Sequence, residues 1–109
     1  MIEFDDFLKV DMRVGRITEV ADFPEARKPA WKLTVDFGPV VGTLRTSAQI
    51  TNYTADELLG RLVVGTINLG RKQIAGFTSE FLVLGALDSD GTVRLLELPD
   101  GVDVGAPIA

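Results

Sequence analysis

At 109 residues the chain has the length of a single domain, 1–109, which buries only about two thirds of the surface exposed by its unfolded form. It holds no cysteine and no histidine, which removes disulfides, thiolate nucleophiles, Ser-His-Asp relays and the commonest metal ligands, so neither a metal nor a cofactor is expected. A formal charge of -5 disfavours a polyanionic partner unless the charges segregate along the chain.

Phe4, Phe7 and Leu8 fall at helical spacing around Asp5 and Asp6, predicting a short N-terminal helix whose apolar stripe needs a partner surface. This terminus is acidic where a secretory signal is basic, and no apolar run reaches the roughly 18 residues that span a bilayer. A cytoplasmic protein with no membrane insertion is expected. RVGRITEV, residues 13 to 20, carries β-branched residues on both faces and predicts a first strand from near Met12. WKLTVDF, residues 31 to 37, alternates cleanly, with Trp31, Leu33, Val35 and Phe37 on the apolar face, and predicts a half-buried second strand. Gly38-Pro39 punctuates it, and Val40 to Ser47 predicts a third strand turning back antiparallel. Thr54 and Glu57 have the spacing of a capping box, with Gly60 placed to end that helix after barely two turns. LVVGTINL (62 to 69) and FLVLGAL (81 to 87) predict the fourth and fifth strands. Asp88-Ser89-Asp90-Gly91 is turn chemistry, and TVRLLEL after it predicts a C-terminal hairpin. This order predicts an all-β protein: a five-stranded OB-fold Greek-key barrel with a short helix between strands 3 and 4, an N-terminal helix and a C-terminal β-hairpin. Such a frame hosts oligonucleotides, oligosaccharides and proteins alike, so it leaves the ligand open. With 46% hydrophobic residues, the chain has more apolar surface than one small barrel hides, which a homodimer would absorb.

The charges do segregate. Residues 1 to 12 carry a net -3 and residues 73 to 109 a net -5, whereas residues 13 to 72 hold nine basic and six acidic side chains, a net +3. Within that middle block FPEARKPAWKL, residues 23 to 33, sets Arg27, Lys28 and Lys32 around the only tryptophan. RTSAQIT, residues 45 to 51, adds Arg45, Ser47 and Gln49, and NLGRKQIAGFTSE, residues 68 to 80, adds Asn68, Arg71, Lys72 and Ser79. Cations there suit phosphates, and the amides and hydroxyls suit sugar or base edges. The alternative is a solvated rim whose glycines make turns and whose short polar side chains satisfy strand ends. Trp31 leads its strand's alternation, which favours a core or interface position over an exposed stacking platform. If Phe23 and Phe77 sit near it, the three form a groove for an apolar peptide. No nucleophile has an evident base, so no enzymatic activity is expected.

FPEARKPAWKLTVDFG, SAQIT and NLGRKQIAGFTSEFLVLG, three separated motifs in order over nearly the whole chain, resemble the CsaA-type branch of the tRNA-binding domain family. The resemblance implies an OB-fold homodimer that recognises the shape of tRNA. It also implies a chaperone role in protein secretion, with unfolded or pre-export polypeptides as a second class of partner. Carried over by position, the family's loop motif falls on Asn68, Gly76 and Ser79, and its earlier basic residue on Lys28. Many tRNA-binding relatives are basic where this chain has Gln73 and Ala75, and here Arg71 and Lys72 bring positive charge slightly earlier in the loop.

Overall fold

The longest element, β1 (Met12–Asp22), organises the chain because its two halves serve different neighbours. Its first half pairs antiparallel with β4 (Leu62–Thr66), from Met12 opposite Thr66 to Arg16 opposite Leu62. Its second half pairs with β2 (Trp31–Asp36), whose other edge takes β3 (Thr43–Ala48), all antiparallel. The computed structural model describes residues 1–109, and its main sheet runs in the order β3-β2-β1-β4-β7, with β7 at Leu82–Val83. The sheet closes nearly into a barrel where residues 79–81 reach β3. The Glu80 N–H donates to the Arg45 carbonyl at 2.8 Å, and the Thr46 hydroxyl to the Phe81 carbonyl at 2.7 Å. Strand order, antiparallel pairing and closure make this an all-β OB-like barrel.

Ile17, Leu33, Val35, Phe37, Leu58 and Val63 fill the barrel and are wholly excluded from water or nearly so. Each such side chain stabilises the fold by about 1.5–3 kcal/mol relative to an exposed one. Phe37 is central, meeting Phe81 edge to face at 4.9 Å between ring centres. It fits because β1 and β4 carry glycine beside it. A Cβ at Gly15 would stand 2.8 Å from Phe37 Cε1, and one at Gly65 2.9 Å from Phe37 Cζ. The single indole closes this core, since Trp31 packs against it and its Nε1–H donates to the Tyr53 carbonyl at 3.1 Å.

Local chemistry fixes the helices. In α1 (Phe4–Leu8) Glu3 caps the first turn, and Phe4 and Leu8 face solvent rather than the barrel. No helix is long and apolar enough to cross a membrane. The expected strand from Val40 starts later, because Pro39 opens a helical turn, α2 (Gly38–Val41), that carries both valines out of the sheet. In α3 (Ala55–Leu58) the capping box forms as expected, with the Glu57 N–H donating to Thr54 Oγ1 and the Thr54 N–H to Glu57 Oε1. The fourth strand stops at Thr66 rather than residue 69.

Two further corrections concern the second half of the chain. The segment 68 to 80, expected as a loop, contains a hairpin, β5 (Lys72–Ile74) and β6 (Phe77–Ser79), closed by Ala75 and Gly76 at φ 47° and 80°. Positive φ at both central residues is the type I′ geometry that matches strand twist. The expected strand 81 to 87 is two strands, because its partner changes at Leu84. The Leu84 N–H still bonds the Val64 carbonyl of β4, whereas β8 (Gly85–Leu87) pairs with β9 (Val93–Leu95). That second pairing is the C-terminal hairpin.

Residues 105–108 then lie along the free edge of β1's first half. The Gly105 N–H donates to the Val14 carbonyl, the Val14 N–H to that of Ala106 and the Ile108 N–H to that of Met12, at 2.7, 3.0 and 2.9 Å. Arg13 fastens this strap by donating from Nη1 to the Gly105 carbonyl at 3.1 Å.

Candidate nucleic-acid interface

Where β3 ends beside residues 79–83, the barrel opens into a cleft of about 700 Å³. Three separated stretches of sequence build it. The loop between β1 and β2 supplies Arg27 and Lys28, the end of β3 supplies Ser47 and Gln49, and the approach to the β5–β6 hairpin supplies Arg71 and Lys72. Four cations line the cleft and no carboxylate does. In a chain of net charge -5, this segregates positive charge in one cleft, the arrangement that gives a locally positive field.

The polar side chains inside are committed to different degrees. Ser79, 8% exposed, accepts the Ser47 N–H at 3.0 Å, and the two hydroxyls lie 3.2 Å apart. That pair fixes the β6 end against β3 and forms part of the cleft wall. Gln49 is exposed, and its amide makes no hydrogen bond within the chain, leaving both a donor and an acceptor to offer. Arg71 is largely free, its side chain 76% exposed, with Glu80 Oε2 standing 3.6 Å away. The other oxygen of that carboxylate accepts the Arg45 N–H at 3.0 Å, which anchors Glu80 on β3.

Six of the expected RNA-binding residues, Lys28, Ser47, Gln49, Arg71, Lys72 and Ser79, therefore meet in one cleft. The other three lie elsewhere. Lys32 and Arg45 sit over the rings of Phe23 and Phe77. Lys32 Nζ lies 4.9 Å from the Phe23 centre and 5.5 Å from the Phe77 centre, and Arg45 Cζ lies 4.7 Å from Phe77. The two rings are 5.5 Å apart and only 5% and 7% exposed, so this cluster clamps the β5–β6 hairpin onto β2 and β3. Asn68 joins the end of β4 to the N-terminal segment. Its Oδ1 accepts the Asp11 N–H at 2.9 Å while its Nδ2 donates to the Lys9 carbonyl at 2.7 Å.

The three apolar residues considered for peptide binding do not share a groove. Strand alternation turns Trp31 to the core side of β2 and Lys32, with Phe23 and Phe77, to the other, and neither Trp31 nor Phe77 lines the cleft. The cleft's apolar surface comes instead from residues that sequence reasoning missed, notably Leu69 and Leu82, 60% and 52% exposed. In the sequence they read as ends of ordinary strands. Arg27, grouped in the sequence with Lys28 and Lys32 around Trp31, lines the cleft beside Lys28.

Residues 12–107 match the family described as "Putative tRNA binding domain". The fold superposes on a CsaA chaperone protein of Picrophilus torridus with a TM-score of 0.93 at 53% identity, covering both chains in full. It also superposes on the chaperone CsaA of Bacillus anthracis str. Ames with a TM-score of 0.93 at 42% identity, over 100% of this chain and 99% of that one. The chain is 41% identical over 108 residues to a methionine–tRNA ligase of Pyrococcus abyssi, a match covering 98% of this chain and 14% of the ligase. It thus spans only a small part of the curated ligases that it matches. Barrel, motifs and matches agree, and the chain belongs to the tRNA-binding domain family, within its CsaA type.

Proposed function

We propose that this chain is a non-enzymatic, structure-specific tRNA-binding protein whose cationic cleft engages the phosphates of folded RNA. One observation carries the reading: four cations and no carboxylate line a cleft of about 700 Å³ in a chain that is acidic overall. Lys28, Arg71 and Lys72 act as phosphate contacts, Gln49, Ser47 and Ser79 line the surface between them, and Lys32, Arg45 and Asn68 hold the surrounding elements in place. The protein works as a homodimer, which the uncovered apolar stripe of Phe4 and Leu8 on α1 supports. Two copies of the cleft would clamp a folded RNA at a raised effective concentration without stronger single contacts.

Fluorescence anisotropy of labelled tRNA, against an unstructured RNA of equal length at two salt concentrations, tests this. Each phosphate neutralised steepens the log-log salt slope by roughly 0.7 to 0.9. Preference for tRNA with a slope worth several contacts is expected, and absence of binding at low salt would overturn the reading.

A second reading is a polypeptide-binding chaperone for pre-export proteins in the cytoplasm. The exposed Leu69 and Leu82 in the cleft favour it, as does similarity to two structures described as chaperones. Suppression of aggregation of an unfolded client, lost on Leu82→Asp with circular dichroism intact, is its expected signature. No suppression by the parent protein removes it.

A further inference from the structure

A surface that only neutralised phosphates would need no apolar interior, yet Leu69, Ile74, Leu82 and Val83 line the space enclosed by the four cations. Leu69 and Leu82 remain more than half exposed, so that space offers apolar walls that nothing within the chain covers. At about 700 Å³ it lies within the size range of small-molecule sites. Gln49 stands at its edge with amide donor and acceptor both unused by the chain, the combination that reads the polar edge of a base.

Building on the proposed RNA-binding function, we infer that the cleft admits one unpaired nucleotide, its base between the aliphatic walls and its flanking phosphates on Lys28, Arg71 and Lys72. Charge selects this occupant over an apolar peptide side chain: all the ionic groups lining the cleft are positive, so a polyanion with apolar bases matches rim and interior together. A base held in a duplex cannot enter, because pairing and stacking keep both its faces and its edge occupied. The cleft thereby distinguishes RNA that presents a free base from RNA of equal charge that does not.

Three hairpin RNAs of equal length, each closed by a non-nucleotide linker so that no loop base is free, test the inference by competition with labelled tRNA: one fully paired, one with a single unpaired nucleotide, and one with an abasic residue at that position. The unpaired hairpin is expected to compete about tenfold better than the other two, in the range of one buried base. Leu69→Ser, at a position too exposed to unfold the barrel, should erase that preference while leaving the salt slope unchanged, and Gln49→Ala should reduce it about threefold. Equal competition by all three hairpins, with tRNA still bound, overturns the inference and leaves the tRNA-binding function standing. Binding of neither tRNA nor hairpins overturns both. Displacement of tRNA by an unfolded polypeptide, but by no hairpin, assigns the apolar walls to protein instead and also overturns it.

Discussion

Beside the start of β4 lies a second cleft of about 360 Å³, lined by Arg16, Arg61, Glu57, Glu97 and Asp100. It contains two arginines, yet its carboxylates outnumber them, and both guanidinium groups are already engaged. Arg16 donates to the Gly60 carbonyl at 2.7 Å, and Arg61 lies 5.1 Å from the centre of the Tyr53 ring. In the larger cleft the cations stand on loops or, for Lys72, at the first residue of β5, and only Arg71 has a carboxylate nearby. An arginine becomes a ligand-binding group when its surroundings leave it unpaired, so counting cations along a sequence overstates some sites and misses others.

The sharpest way to break this comparison is to reverse charge in each cleft separately. Arg71→Glu combined with Lys72→Glu should weaken tRNA binding about a hundredfold and lower the salt slope by roughly 1.4 to 1.8, the share of two phosphate contacts. Glu97→Lys combined with Asp100→Lys shifts the total charge by the same amount in the opposite sense, and should change affinity by no more than about twofold at physiological salt. Equal and opposite effects would show that total charge, rather than the local field, governs binding.

Glu80 refines the contrast, because it is the carboxylate that comes nearest to the free cations. Glu80→Gln keeps an acceptor for the Arg45 N–H while removing the charge 3.6 Å from Arg71, and should raise tRNA affinity about threefold at low salt. A loss of affinity would instead mean that the ion pair aims Arg71 at its ligand. Ala75 offers a smaller test on the same side of the molecule. Its φ of 47° places a Cβ in the left-handed region, so Ala75→Gly should stabilise the protein by up to about 1 kcal/mol in urea unfolding. Stability that falls would mean that the loss of backbone entropy outweighs the relief.

The smallest expected effect belongs to the second cleft. Accepting the Thr54 N–H holds the Glu57 carboxyl below its ordinary value of 4.5. Because the folded value is the lower one, this carboxylate's contribution to stability is present above the unfolded value and is lost as pH falls through the folded one. The stability gap between the parent and Glu57→Gln should therefore narrow in acid, while tRNA binding at neutral pH is unchanged. A gap that widens in acid would contradict the hydrogen bond's role.

Where structure depends on neighbours in sequence, residue patterns revealed it. The Thr54-Glu57 box and the alternation of Trp31, Leu33 and Val35 are local devices, and both elements stand where expected. Val40 and Val41 mislead because β-branched residues suggest a strand, whereas Pro39 and the backbone at Gly38 impose a turn first. The β5–β6 hairpin is hidden because Ala75 occupies a turn position usually held by Asn or Asp. Of the nine polar and charged residues singled out by type, six line one cleft. Residue type had no means of showing that Lys32 and Arg45 would meet Phe23 and Phe77, since those rings arrive from a loop and a short strand more than fifty residues apart in sequence. Likewise, the amide of Asn68 is engaged through both its oxygen and its nitrogen only because the chain brings Lys9 and Asp11 to it.

The strap formed by residues 105–108 gives the molecule a mechanical polarity. Because Ile108 bonds Met12 and Ala106 bonds Val14 in antiparallel sense, the two ends of the barrel leave from the same end of one short ladder. A pull applied to both ends at once would load those bonds singly, like a zip, rather than together in shear. A tether on either side of this barrel would therefore peel the strap one bond at a time, from Ile108 back to Gly105.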